Sequence, residues 1–154
     1  MKKTITLYNY EVNNIVEALR NPQSIMYTND PEKKLPISVL WKMDENFEKL
    51  QNIAIRIQKK REEIEMDYAD DEHSYIDDSE QGMGNRKVKE EYFEEFNKRL
   101  SELMSIQNAV DIDCIDIETL KDYSLVPRDY RTIRFMLDKE EKEEPESEKN
   151  EIVE

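Results

Sequence analysis

From Met43 to Tyr68 a buried-type position recurs every four or three residues. Met43, Phe47, Leu50, Ala54, Ile57, Arg61, Ile64 and Tyr68 are spaced 4, 3, 4, 3, 4, 3, 4. Alternating steps of three and four lay one seam along an α-helix, whereas a strand would bury every second residue. A second seam, Phe93, Phe96, Leu100 and Leu103, runs 3, 4, 3. The only two glycines, Gly82 and Gly84, lie between the seams. Two seams joined by a glycine-bearing loop predict a helical hairpin closed on itself in the manner of a coiled coil. The expected arms run over about 38–68 and 87–105, with an acidic loop at 69–86. A first arm of that length spans roughly 45 Å and needs support along its course. Arg61, the one charged member of its seam, can lay its methylenes on the partner and keep its guanidinium in water.

The flanking segments predict a little β-structure. Thr4–Leu7 alternates polar and apolar residues, and so do Val110, Ile112 and Cys114 against Asp111 and Asp113. The two segments are natural partners in a small two-stranded sheet. Between them, Asn9 reads as a helix N-cap ahead of a face formed by Val12, Ile15, Val16 and Leu19, and Asn21-Pro22 ends that helix. Three prolines at 22, 31 and 36 mark a loop, the last of them well placed at a helix start. Tyr75-Ile76 and Lys87-Val88 flank the glycines and suggest a small β-ribbon. Asp116 can cap a short helix through Tyr123. Val126-Pro127 opens a last helix, with Tyr130, Ile133, Arg134 and Leu137 on one face. The fold class is therefore mainly α (α+β): a long antiparallel hairpin, a two-stranded sheet and short flanking helices. It forms a single domain over 1–137, followed by a disordered acidic tail at 138–154 that has little to bury. Trp41, at the start of the long arm, is expected in the core.

Charge is unevenly placed. Of the net −14, residues 67–80 carry −7 and residues 138–154 carry −6, so the body is nearly neutral. Without a basic stripe, direct nucleic-acid binding is not expected. No stretch approaches the apolar length of a membrane span, and Met1–Tyr10 has no apolar run of the signal-peptide kind. The single Cys114 has no partner for an intramolecular disulfide, as suits a reducing cytosol. A cytoplasmic protein without a membrane partner is the expectation.

Catalytic chemistry finds little purchase. His73, the only histidine, lies among Asp70, Asp71, Glu72, Asp77 and Asp78. These groups could ligate a divalent metal, but they lack EF-hand spacing, and a solvated acidic loop is the simpler reading. Asp111, Asp113 and Asp116 resemble a two-metal carboxylate set, yet the wet face of a strand explains them as well. Cys114 has no histidine near it in sequence and suits a buried structural role. No phosphate-binding glycine loop and no nucleophile elbow is present. No enzyme, cofactor or metal is expected.

The order of segments is similar to one known family. Leu35-Pro36-Ile37-Ser38-Val39 enters a long charged helix. A variable acidic loop, Phe93–Met104, the Val110–Ile117 stretch and a closing Leu125-Val126-Pro127…Ile133-Arg134-Phe135-Met136-Leu137 follow. Over residues 5 to 137 this resembles a family of small uncharacterised proteins of phages and prophages of low-GC Gram-positive bacteria. The resemblance implies a phage-encoded protein inside a bacterial host cell and brings no catalytic residues.

The function expected from these features is a non-enzymatic protein–protein interaction module, such as an assembly or accessory protein. Its partner would be a phage or host protein met through the hairpin or through Asp70, Asp71, Glu72, Asp77 and Asp78. Self-association through the hairpin is a further expectation. One alternative is an inhibitor of a host defence nuclease that uses the acidic loop to mimic nucleic acid. A second is a small metal-dependent enzyme using His73 or the Asp111 group.

Overall fold

The computed structural model describes residues 1–77 and 85–138. In chain order these form strand β1 (Lys2–Tyr8), helix α1 (Asn9–Arg20), helix α2 (Ile37–Asp67), strands β2 (Ser74–Asp77) and β3 (Asn85–Val88), helix α3 (Phe93–Met104), strand β4 (Gln107–Asp113) and helix α4 (Pro127–Ile133). Single 3-10 turns occupy Glu90–Tyr92, Ile117–Leu120 and Arg134–Met136. Gly82, Gly84, Asp78 and the acidic segment from residue 139 onward lie outside the described residues.

α2 is the axis of the molecule. Its seam is buried at Met43, Phe47, Leu50, Ile57, Ile64 and Tyr68, as the alternating spacing requires. Arg61 stays exposed and reaches Glu65 on its own helix at 3.5 Å. Different partners cover different stretches of that seam. β4 is tied to the N-terminal half at Asn46 and Lys49, α1 lies against the stretch around residues 54–58, and the C-terminal part forms the antiparallel hairpin with α3. Val12, Val16 and Leu19 of α1 join Leu7, Val110 and Ile112 of the sheet in the same apolar cluster. Ile133 and Met136 from the last segment complete it.

The two-stranded sheet pairs β1 with β4 in antiparallel register, with Ile5 opposite Val110 and Leu7 opposite Asn108. A second ribbon pairs β2 with β3, placing Tyr75 opposite Lys87 and Ile76 opposite Arg86. The sheet was legible from two period-two segments, the ribbon from Tyr75-Ile76 and Lys87-Val88 on either side of the glycines.

Around α1 and the second arm the fold differs from the sequence expectation. Asn9 does not cap α1 from outside but is its first residue. Its side chain is buried and donates to the Leu103 carbonyl at 2.7 Å, tying the helix start to the end of α3. The cap instead comes from Glu11, whose carboxylate accepts the Tyr8 N–H at 2.9 Å. The second arm starts at Phe93 and not near residue 87, because β3 and a 3-10 turn take the residues before it. That turn also brings Tyr92 onto the seam, where it packs partly buried, while Phe93 stands 47% exposed. Tyr92, Phe96, Leu100 and Leu103 keep a helical spacing, so the pattern fits either aromatic and only the turn chooses.

Candidate functional site

Two surface regions stand out: the tip of the hairpin and the face around Trp41. The tip is built where α2 ends. Tyr68 closes the seam, and its ring meets Phe96 edge-on at 5.1 Å and His73 edge-on at 5.3 Å. The Tyr92 ring covers the other side of His73 at 4.6 Å. The Tyr68 hydroxyl donates to Glu95 at 2.6 Å, and that carboxylate raises the tyrosine's pKa. Arg99 lies over the Tyr68 ring and pairs with Asp67 at 2.9 Å. Aromatic edges and a cation on a ring face are favoured arrangements, so this end of the hairpin is ordered by ring contacts and charge together.

The loop after α2 is organised around Asp70. Its carboxylate meets His73 Nδ1 at 2.7 Å and accepts the His73 backbone N–H at 2.9 Å. Its carbonyl accepts both the N–H and the hydroxyl of Ser74. The His73 pair, followed by that backbone bond, holds the Asp70 carboxyl below the usual aspartate range. The same contact raises the His73 pKa, with burial opposing and Glu72 and Glu95 helping. Burial, then the nearby Glu91, raises Tyr92.

The expected site residues are thus placed as follows. Asp70, Asp71 and Glu72 lie together on the exposed turn, whereas Asp77 is half-buried in β2 and pairs with Lys87 at 2.8 Å. Asp71 faces Arg86 at 3.5 Å, and Arg86 also donates to the Ser74 hydroxyl at 2.8 Å. Asp78 lies outside the described residues. Cations from β3 and α3 therefore pair with Asp67, Asp71 and Asp77, while Glu91 and Glu95 bring further negative charge to Tyr92, Tyr68 and His73.

For a metal, Asp70, Glu72 and His73 bring ligand atoms within 4.8 Å of one another. Among the described residues Asp111, Asp113 and Asp116 make no such group. Each has other work: Asp111 accepts from the Thr4 hydroxyl, Asp113 faces Lys2 across the sheet, and Asp116 caps the Ile117 turn through the Glu118 N–H. Cys114 is buried beside the sheet, its thiol pKa pushed up by burial, and it is not joined to His73. A buried thiol held protonated is a poor nucleophile.

The second region overturns the expectation for Trp41. Its side chain is 66% exposed, and Ile37 and Tyr27 beside it are 76% and 47% exposed. The helix forces this. Trp41 precedes the buried Met43 by two residues, about 200° around the helix, so burying one turns the other outward. Ile37 stands in the same relation to Val39 and lies one turn before Trp41. With Met26, Leu40 and Asp44 these residues line a shallow groove of about 230 Å³. The signal was available in sequence: Ile37 and Trp41, four apart, are out of phase with the Met43 seam.

The sequence matches no protein-family model, no curated protein and no solved structure at a significant level. Among the described residues, no helix is long and apolar enough to cross a membrane.

Proposed function

We propose that this chain is a non-enzymatic, phage-encoded protein–protein interaction module that meets a phage or host protein in the bacterial cytoplasm through the Trp41 face. The observation that carries the proposal is the exposed set Tyr27, Ile37 and Trp41 around one groove. Tryptophan and tyrosine are the commonest anchors at protein interfaces, and grouped large apolar side chains on a surface mark contact sites more often than scattered ones do. The rigid axis beneath them favours binding with little ordering cost, because Val39, Met43 and Phe47 of the same helix are locked in the core.

The test is affinity capture during infection with the natural chain and with a Trp41→Ser, Ile37→Ser double variant. A partner retained by the first and lost by the second, with the melting temperature unchanged, supports the proposal. Equal capture by both removes the Trp41 face from it.

The exposed Asp70, Asp71 and Glu72 favour a second reading, in which the tip enters the basic groove of a host nuclease. That binding would weaken steeply with salt, whereas binding through the apolar face would not.

A further inference from the structure

The two edges of the β1–β4 sheet are finished differently. At Asp111 and Asp113 the outward edge of β4 is closed by side chains of α2. Asn46 of α2 is fully buried, donates to the Asp113 carbonyl and accepts the Asp113 N–H, both at 2.9 Å. Lys49 donates to the Asp111 carbonyl at 2.7 Å. Further on, Ile115 bonds Met136 and Asp138 through its N–H and carbonyl.

Along β1 the only such closure among the described residues is at its end, where the Glu11 carboxylate accepts the Tyr8 N–H. Cys114 donates to the Met1 carbonyl and Asn9 donates to the Ile106 carbonyl, which sets the alternation of the ladder. Lys3, Ile5 and Leu7 then turn their backbone groups to β4, and Lys2, Thr4 and Thr6 turn theirs away. Among the described residues no hydrogen bond reaches those outward groups, and all three residues are exposed. An unpaired row of N–H and C=O groups is a template for one kind of occupant, another extended strand.

We propose that this occupant is β1 of a second copy of the chain. The strands would pair antiparallel about a two-fold axis at Thr4, fusing two sheets of two strands into one of four. The edge is self-complementary in that register. Thr4 meets Thr4 of the second copy, a favourable cross-strand pair. Lys2 meets Thr6, so the two Lys2 side chains lie at opposite ends of the new ladder and no like charges face each other. The acidic tip lies on other elements, at the far end of α2 from the Asn46 and Lys49 ties to β4. The proposal is independent of the Trp41 face, which lies on a different element.

The experiment is sedimentation equilibrium of the full chain up to about 1 mM, the range that reveals any association tighter than a millimolar constant. The natural chain is expected to dimerise. Thr4→Lys and Thr4→Glu each place two like charges at the axis and should weaken the dimer roughly fivefold or more. An equimolar mixture of the two variants should restore it, because the mixed pair is attractive. Thr4→Pro removes the outward N–H and should abolish association, with far-ultraviolet circular dichroism confirming the fold. A natural chain that stays monomeric overturns the proposal. So does a dimer indifferent to both charge variants, or one seen only after residues 139–154 are removed, which would give the edge to that segment.

Discussion

The base of α2 and its tip are built by different physics on one helix. At the base, Met43 and Leu50 are fully buried beside Ile112 and Leu19, and the polar groups taken inside, Asn46 and Asn9, have their hydrogen bonds satisfied. At the tip, Tyr68, His73 and Tyr92 meet as rings, and Asp67, Asp70, Asp71 and Asp77 each find a cationic or protonatable partner. Apolar burial is insensitive to pH and nearly so to salt, whereas exposed ion pairs respond to both. The comparison teaches that one continuous helix can carry a fixed end and a tunable end, according to what its neighbours supply.

The sharpest way to break this contrast is Leu50→Asp. An unpaired carboxylate at a fully buried position costs about 3 kcal/mol or more, a large share of the stability of a small domain. Loss of the cooperative thermal transition is the expected result; an unchanged melting temperature would contradict the base as described.

Asn46→Leu comes next. It keeps the volume but strips both partners from the Asp113 backbone, at a cost of about 1–3 kcal/mol. Urea denaturation should show the loss, while ring-proton shifts of Tyr68 and His73 stay in place.

Changing Asp70, Asp71, Glu72, Asp77 and Asp78 together to their amides should affect global stability far less. The surface pair of Asp71 with Arg86 is worth little, that of half-buried Asp77 with Lys87 somewhat more, and relief of repulsion offsets part of their loss. The change should appear as faster hydrogen exchange over 68–77 and 85–92, with the base unaffected. Equal acceleration in both regions would show that tip and base are one cooperative unit.

A smaller effect is the pH response of the tip. The folded His73 pKa is raised, so its pairing with Asp70 contributes fully below the ordinary histidine value and is lost as pH rises through the raised one. The folded Asp70 pKa is lowered, so its contribution is present above the ordinary aspartate value and lost as pH falls through the lowered one. NMR titration of His73 should therefore give a midpoint above that of a free histidine, moving down in Asp70→Asn. A midpoint unaffected by that substitution would remove the pair from the account.

Trp41→Ser alone should leave the melting temperature nearly unmoved, since little of that side chain leaves water on folding. A fall of several degrees would show that it is packed after all.

Most of the elements and the buried seam of α2 can be read from the chain alone, whereas the same reading puts Trp41 and Phe93 on the wrong side. The 4-3 alternation set α2 and its seam, and the period-two runs at Thr4–Leu7 and Val110–Cys114 set the sheet partners. Tyr75-Ile76 and Lys87-Val88 were enough to place the ribbon. The first two signals are repeats along one chain segment, and a repeat specifies which side is apolar without reference to anything else. What lies opposite each face is set by the packing of distant segments. Nothing local distinguishes Tyr92 from Phe93 as the seam residue; a 3-10 turn chose. Nothing local shows that Asn46 would close the Asp113 end of β4, because the two partners are 67 residues apart. The charges of the tip follow the same rule. Residues 67–80 read as a bare acidic run because a sequence sums charge along the chain, whereas the fold sets Arg99, Arg86 and Lys87 against Asp67, Asp71 and Asp77 and brings Glu91 and Glu95 beside Tyr92 and Tyr68.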